Sequence, residues 1–122
     1  MTGSKVRTRL IGAAMVAVLL AGCGGGGKKN IFAQDTPIES YSAEQIFERG
    51  EFELNRRRPE EAATYFAEIE RLYPYSDWAK RALIMQAFSY HKSSDYENSR
   101  ATAQRFIDFY PADDDAAYAQ YL

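Results

Sequence analysis

Residues 62–74 read Ala-Ala-Thr-Tyr-Phe-Ala-Glu-Ile-Glu-Arg-Leu-Tyr-Pro, and residues 99–111 read Ser-Arg-Ala-Thr-Ala-Gln-Arg-Phe-Ile-Asp-Phe-Tyr-Pro. The two stretches stand 37 positions apart and end on the same pair, Tyr73-Pro74 and Tyr110-Pro111. In each, apolar or small residues fall at i, i+4, i+7 and i+11: Ala62, Phe66, Ile69 and Tyr73, then Ser99, Ala103, Phe106 and Tyr110. That spacing lines one face of an α-helix. The proline ends it, because it offers no N–H and disfavours helical backbone in the residue before it. A helix face that returns at a fixed offset predicts a repeat protein, whose units bury their faces against one another.

Working outward, each of these helices has a partner before it. Ser42 is placed to cap a helix beginning at Ala43, with Gln45 three residues on completing a capping box. Ala43, Phe47, Gly50 and Leu54 form its apolar stripe. Arg56-Arg57-Arg58 and Pro59 end it. The arginines suit a helix C-terminus, or alternatively an anionic partner. Pro59 fits the first turn of the next helix, with Glu60 and Glu61 at its positive end. In the second unit Asp77 is the expected cap of a helix from Trp78 to about Lys92, with Leu83, Ala87 and Tyr90 on one face. Ser93-Ser94-Asp95 breaks it, and a helix from about Tyr96 to Tyr110 follows. Asp113, Asp114 and Asp115 are expected to cap a fifth helix and fill its first turn; it would hold Tyr118, Tyr121 and Leu122.

The fold class is therefore all-α: a tetratricopeptide-type helical solenoid, two repeats plus the start of a third. Such units recur at about 34 residues, so three extra residues are expected in the Tyr75-Ser76-Asp77 loop. Gly50, Ala62, Phe66 and Pro74 occupy the Gly, Ala, Phe and Pro positions of that motif, and Ala87, Tyr90, Tyr96 and Pro111 fit the second copy. Arg49 and Gln86 replace the large apolar residue usual before the small one. Solenoids end in a polar capping helix. The aromatic and apolar last residues predict that the array continues past Leu122.

The N-terminus sets the compartment. Residues 1–9 carry Lys5, Arg7 and Arg9 and no acid, and residues 10–22 are apolar or small throughout. A helix of that length reaches about 20 Å, short of the ~30 Å hydrocarbon core. It fits a secretory signal peptide. The run ends Leu20-Ala21-Gly22-Cys23, similar to the bacterial lipobox, in which the cysteine is lipidated and becomes the mature N-terminus. The expected division is a signal peptide at 1–22, a lipidated Cys23 with a Gly-rich tether and extended arm over 23–41, and helical repeats over 42–122. Gly24 to Gly27 make the tether flexible. Lys28 and Lys29 read as solvated charges, with contact to anionic head groups as the alternative. In the bacterial lipoproteins that this leader resembles, Asp after the cysteine favours inner-membrane retention; Gly24 stands there, so the resemblance implies the outer membrane. The membrane is reached by covalent acyl chains on Cys23, and no other cofactor is expected.

Removing Lys5, Arg7 and Arg9 from the 15 basic residues leaves 12 against 17 acidic ones, a net charge of −5. That argues against nucleic acid as a partner. One Cys and one His exclude an internal disulfide and a Cys/His zinc site. No Gly-x-Ser-x-Gly turn accompanies His91, the glutamate pairs read as solvated helix faces, and no phosphate loop follows the glycines. The expectation is a non-enzymatic protein that works through a surface. Stacked helix pairs form a groove lined mainly by the first helix of each pair. Phe47, Glu51 and Asn55 in the first repeat and Ile84, Phe88 and His91 in the second are the candidates to line it and bind extended or helical peptide. Burial by neighbouring repeats is the other reading of these positions.

The lipobox, the arm and the Tyr-Pro repeat ends, with the segments Phe106–Pro111 and Ala117–Tyr121, resemble the BamD family of lipoproteins of the outer-membrane β-barrel assembly machine. The resemblance covers nearly all of the mature chain. It implies a lipid-anchored protein at the periplasmic face of the outer membrane. It implies unfolded outer-membrane proteins, the β-barrel assembly subunit and accessory lipoproteins as partners. It also places substrate contact near Tyr73, Pro74 and Tyr75, with Tyr75 the more exposed because Tyr73 continues a core stripe. Two other classes share parts of the pattern: a periplasmic scaffold for cell-wall synthesis or division, and the repeat region of a cell-wall enzyme.

Overall fold

The computed structural model describes residues 36–122, and the leader, Cys23 and the tether lie outside the described residues. After a 3-10 turn at Ile38–Ser40 come five helices: α1 (Ala43–Asn55), α2 (Pro59–Leu72), α3 (Asp77–Lys92), α4 (Tyr96–Phe109) and α5 (Ala116–Tyr121). Among the described residues there is no strand. Each helix packs on the next, and α1 also lies against α3, so first helices of successive pairs are neighbours. This is a stack of helix-turn-helix units of tetratricopeptide type.

Local chemistry sets the boundaries. Ser42 Oγ accepts from Gln45 N at 3.2 Å while Gln45 Oε1 accepts from Ser42 N at 2.9 Å, the reciprocal capping box that satisfies two end donors. Both turns within the repeats close the same way. Arg57 and Ser94, 37 positions apart, adopt φ of 60° and 65°. The next amide donates back to the carbonyl five residues earlier, Arg58 N to Glu53 O and Asp95 N to Tyr90 O, each at 2.9 Å. A left-handed residue closing a helix in this way satisfies its last carbonyls. The second helices end alike too, at Tyr73 (φ −132°, ψ 54°) and Tyr110 (φ −132°, ψ 57°).

Several expected boundaries move. Ser76, not Asp77, caps α3: its Oγ accepts from Ala79 N at 3.1 Å, and Asp77 is the first helical residue. The hydroxyl sits one residue earlier, where backbone at φ −87°, ψ 156° aims it at the free amides. The three extra residues are not in the loop. Helix α3 has 16 residues against 13 in α1 and starts three positions earlier in the 37-residue register, adding Asp77, Trp78 and Ala79 as helix. Helix α5 begins at Ala116 with no acid in its first turn. Asp113 instead accepts from Asp115 N at 3.0 Å and from Lys80 Nζ at 2.7 Å. The arginines after α1 lie beyond its last turn, with Arg58 already the N-cap of α2. Helix α4 stops at Phe109, with Tyr110 as its C-cap.

The core follows the two repeated stripes. Phe66, Ile69 and Ala62 are fully buried in the first unit, with Ile46 and Phe47 opposite on α1. In the second, Leu83, Ile84, Ala87, Ala103, Phe106 and Ala119 form one cluster that joins α3, α4 and α5. Burying a side chain such as Phe66 is worth about 2–3 kcal/mol. Size is exchanged between the units. Gly50 faces Phe66, whereas at the matching positions, 37 residues on, stand Ala87 and Ala103. There Ser99 Oγ donates to Ala87 O at 2.9 Å across the fully buried contact.

Candidate functional site

Two surfaces hold the sequence-derived candidates. The first is the end of the stack where α2 passes into α3. The Tyr73 hydroxyl donates to Tyr41 O at 2.5 Å, and Arg71 pairs with Glu39 at 3.1 Å and Glu68 at 2.5 Å. Tyr41 is buried. The arm before α1 is thus fastened to the C-terminal turn of α2. A hydrogen bond from its own backbone amide, then the Arg71 guanidinium, holds the Glu39 carboxyl below its ordinary range. Tyr75 stands free beside this anchor at 101% relative exposure, so the loop presents one aromatic ring and fixes another.

The second surface runs along α1 and α3. Phe47 is 3% exposed, with its ring 5.1 Å from both Phe66 and Trp78. Ile84 is 7% exposed and belongs to the core cluster of the second repeat. These two apolar side chains are taken up by packing between helices and do not present a groove wall. Glu51 and Asn55 are exposed on α1. Phe88 is half-buried with Lys92 Nζ 5.9 Å from its ring centre, and His91 is half-buried with its ring 5.4 Å edge-on to Tyr96.

The sequence patterns above do not single out Arg81, or Trp78 beyond its place at the start of a helix. The Arg81 guanidinium lies 4.5 Å from the Trp78 ring centre and 4.8 Å from that of Phe47, a cation over two aromatic faces. The signal was present: Arg81, Ile84, Phe88 and His91 continue one stripe at i, i+3, i+7 and i+10. Trp78 is the only tryptophan.

The polar pairing inside the first repeat is also unforeseen. Glu53 is 2% exposed and pairs with Arg49 at 2.8 Å, with Arg58 at 3.8 Å. Arg49 in turn lies over the rings of Phe52 and Tyr65. Glu70 and Arg105 form an ion pair between α2 and α4. A cleft of about 310 Å³ opens between α4 and α5, lined by Ala103, Gln104, Ile107 and Leu122 among others. Among the described residues no group of three His, Cys, Asp or Glu side chains is disposed to hold a metal. No described helix is long and apolar enough to cross a membrane.

A stack of helix pairs behind a lipobox-like leader defines a class, the helical-repeat lipoproteins. The particular family follows from comparison: residues 39–122 match the family model described as outer membrane lipoprotein (YfiO), and the chain belongs to that family. It is similar to outer membrane protein assembly factor BamD of Caulobacter vibrioides, 35% identical over 113 residues, covering 92% of this chain and 35% of that protein. Against the BamD of Rickettsia prowazekii it is 30% identical over 116 residues, covering 94% of this chain and 43% of that protein. Against that of Xylella fastidiosa strain 9a5c it is 26% identical over 105 residues, covering 86% and 34%. The chain therefore spans between 34% and 43% of the length of these relatives. No solved structure gives a significant match. Membership of this family assigns the protein to the outer membrane as a lipid-anchored lipoprotein, and its single cysteine, at the end of the leader, is consistent with lipidation.

Proposed function

We propose that this protein is a non-enzymatic subunit of the outer-membrane β-barrel assembly machinery. It is held to the membrane by acyl chains on Cys23. Its repeats bind unfolded outer-membrane protein segments, and it joins the β-barrel assembly subunit and accessory lipoproteins. The observation that carries this is the family match over 39–122 together with relatives named as outer membrane protein assembly factors. Two features suit the role. Tyr75 is fully exposed beside the anchored Tyr73, and an exposed aromatic on a rigid base is an economical contact for an extended peptide. Phe88, Glu51 and Asn55 offer a second, mixed surface along the first helices, with His91 at its end.

The test uses the full-length gene product, tagged and extracted from membranes in mild detergent, with co-purifying proteins identified by mass spectrometry. Recovery of a large β-barrel protein with periplasmic domains, and photo-crosslinks from positions 75 and 88 to unfolded outer-membrane proteins, are the expected results. Recovery of division or cell-wall proteins without that barrel would reject the proposal.

A further inference from the structure

We infer that Arg81 is a preformed carboxylate-binding site, and that the surface it heads takes an extended peptide carrying an acidic group near an apolar side chain. The inference deepens the peptide-binding part of the function proposed above and rests on it. The guanidinium carbon lies 4.5 Å from the Trp78 ring centre and 4.8 Å from that of Phe47. Phe47 is itself fixed, 3% exposed and packed on Phe66. Contact with two rings restrains the guanidinium, and an aromatic face offers its N–H donors no in-plane acceptor.

Among the described residues those donors meet no carboxylate: Arg81 enters no ion pair, although Arg49, Arg58, Arg71, Lys80 and Arg105 all do. The residue is exposed. A cation that is already positioned loses little freedom on binding. Its fork of donors matches a carboxylate in two-point contact.

The neighbourhood narrows the ligand. Phe88 lies two turns further along the same stripe of α3, about 10 Å away. An extended chain covers that distance in about three residues. The geometry points to an acidic residue and an apolar residue three apart.

The test measures fluorescence anisotropy with full-length lipoprotein in detergent. The probe is a labelled, C-terminally amidated peptide, Gly-Ser-Gly-Glu-Gly-Ser-Phe-Gly-Ser-Gly, compared with its Glu-to-Gln counterpart and with the Gln peptide as a free acid. Wild type is expected to bind the Glu peptide about tenfold more tightly than the Gln peptide, as a charge-assisted contact would give. Arg81→Gln should abolish that preference while helical circular dichroism and the melting midpoint stay as in wild type. Arg81→Lys should retain part of it. A preference restored in the free-acid Gln peptide locates the source at a chain terminus. Equal binding of all three peptides by wild type, or an undiminished preference in Arg81→Gln, overturns the inference. If the barrel subunit co-purifies but no probe binds, the inference fails and the assembly role stands. If the probe binds through Arg81 without that subunit, the reverse holds.

Discussion

Gly50 lies so close to Phe66 that a Cβ added to it would stand 2.6 Å from Cε1 of the ring. In an open helix, Gly→Ala gains about 1 kcal/mol from backbone entropy. Here the ring cannot retreat, because Phe66 is fully buried and held 5.1 Å from Phe47. Gly50→Ala is expected to destabilise by about 1–3 kcal/mol, the usual cost of overpacking. Urea unfolding should show a lower midpoint with an unchanged slope. In a Phe66→Leu background the penalty should shrink, since the clashing ring edge is gone.

The Glu53–Arg49 pair gives a different signature. Glu53→Ala leaves Arg49 facing a vacated buried position, and about 2–4 kcal/mol of stability should be lost, toward the lower part of the range for a broken buried pair because Arg49 is 21% exposed. Replacing both, Arg49→Leu with Glu53→Met, should recover most of that loss. A double variant as unstable as Glu53→Ala, measured by thermal unfolding, would show that the charges contribute more than their packing.

Lys80 and Asp113 tie α3 to the loop before α5 at 2.7 Å. The Lys80 ammonium holds the Asp113 carboxyl below its ordinary range, assisted by the Asp115 amide, and Asp113 raises Lys80 above its own. The depressed acid contributes stability above its unfolded pKa of about 3.9, which is lost as pH falls through the folded value. The raised base contributes below about 10.4, and that is lost as pH rises through the folded value. The protection of α5 amides, taken relative to their intrinsic exchange rate at each pH, should therefore be greatest between these limits and fall on either side. Asp113→Asn should flatten the acid side of the profile.

Tyr73→Phe removes only the hydroxyl that donates to Tyr41 O. The expected result is faster proteolysis before Ser42 and a loss of roughly 1 kcal/mol or less in global stability. Acid should act in the same direction: Glu39 is depressed by its own amide and by Arg71, so its contribution is present above about 4.3 and fades as pH falls through the folded value. Tyr75→Ala is the contrasting variant. Its fully exposed ring should leave the melting midpoint nearly unchanged.

What the sequence by itself determined is the part written in short-range chemistry. The Ser42–Gln45 capping box acts over three residues, and both its bonds form. The matching stripes at Ala62–Tyr73 and Ser99–Tyr110, each closed by Tyr-Pro, established the second helix of each of two pairs, because helix periodicity and proline's missing donor need no distant partner. The leader and Cys23 are expected from a linear pattern of the same kind and lie outside the described residues. The tertiary structure decided which polar groups found partners far along the chain: Asp113 with Lys80, 33 residues away, and Tyr73 with Tyr41, 32 away. It also decided which of two apolar stripes on a helix would be covered, burying Phe47 and Ile84 and leaving Arg81 over Trp78. Periodicity identifies a face, but burial depends on the neighbour that packs against it. Here that neighbour was set by α3 starting three residues early, which carried Trp78 onto Phe47.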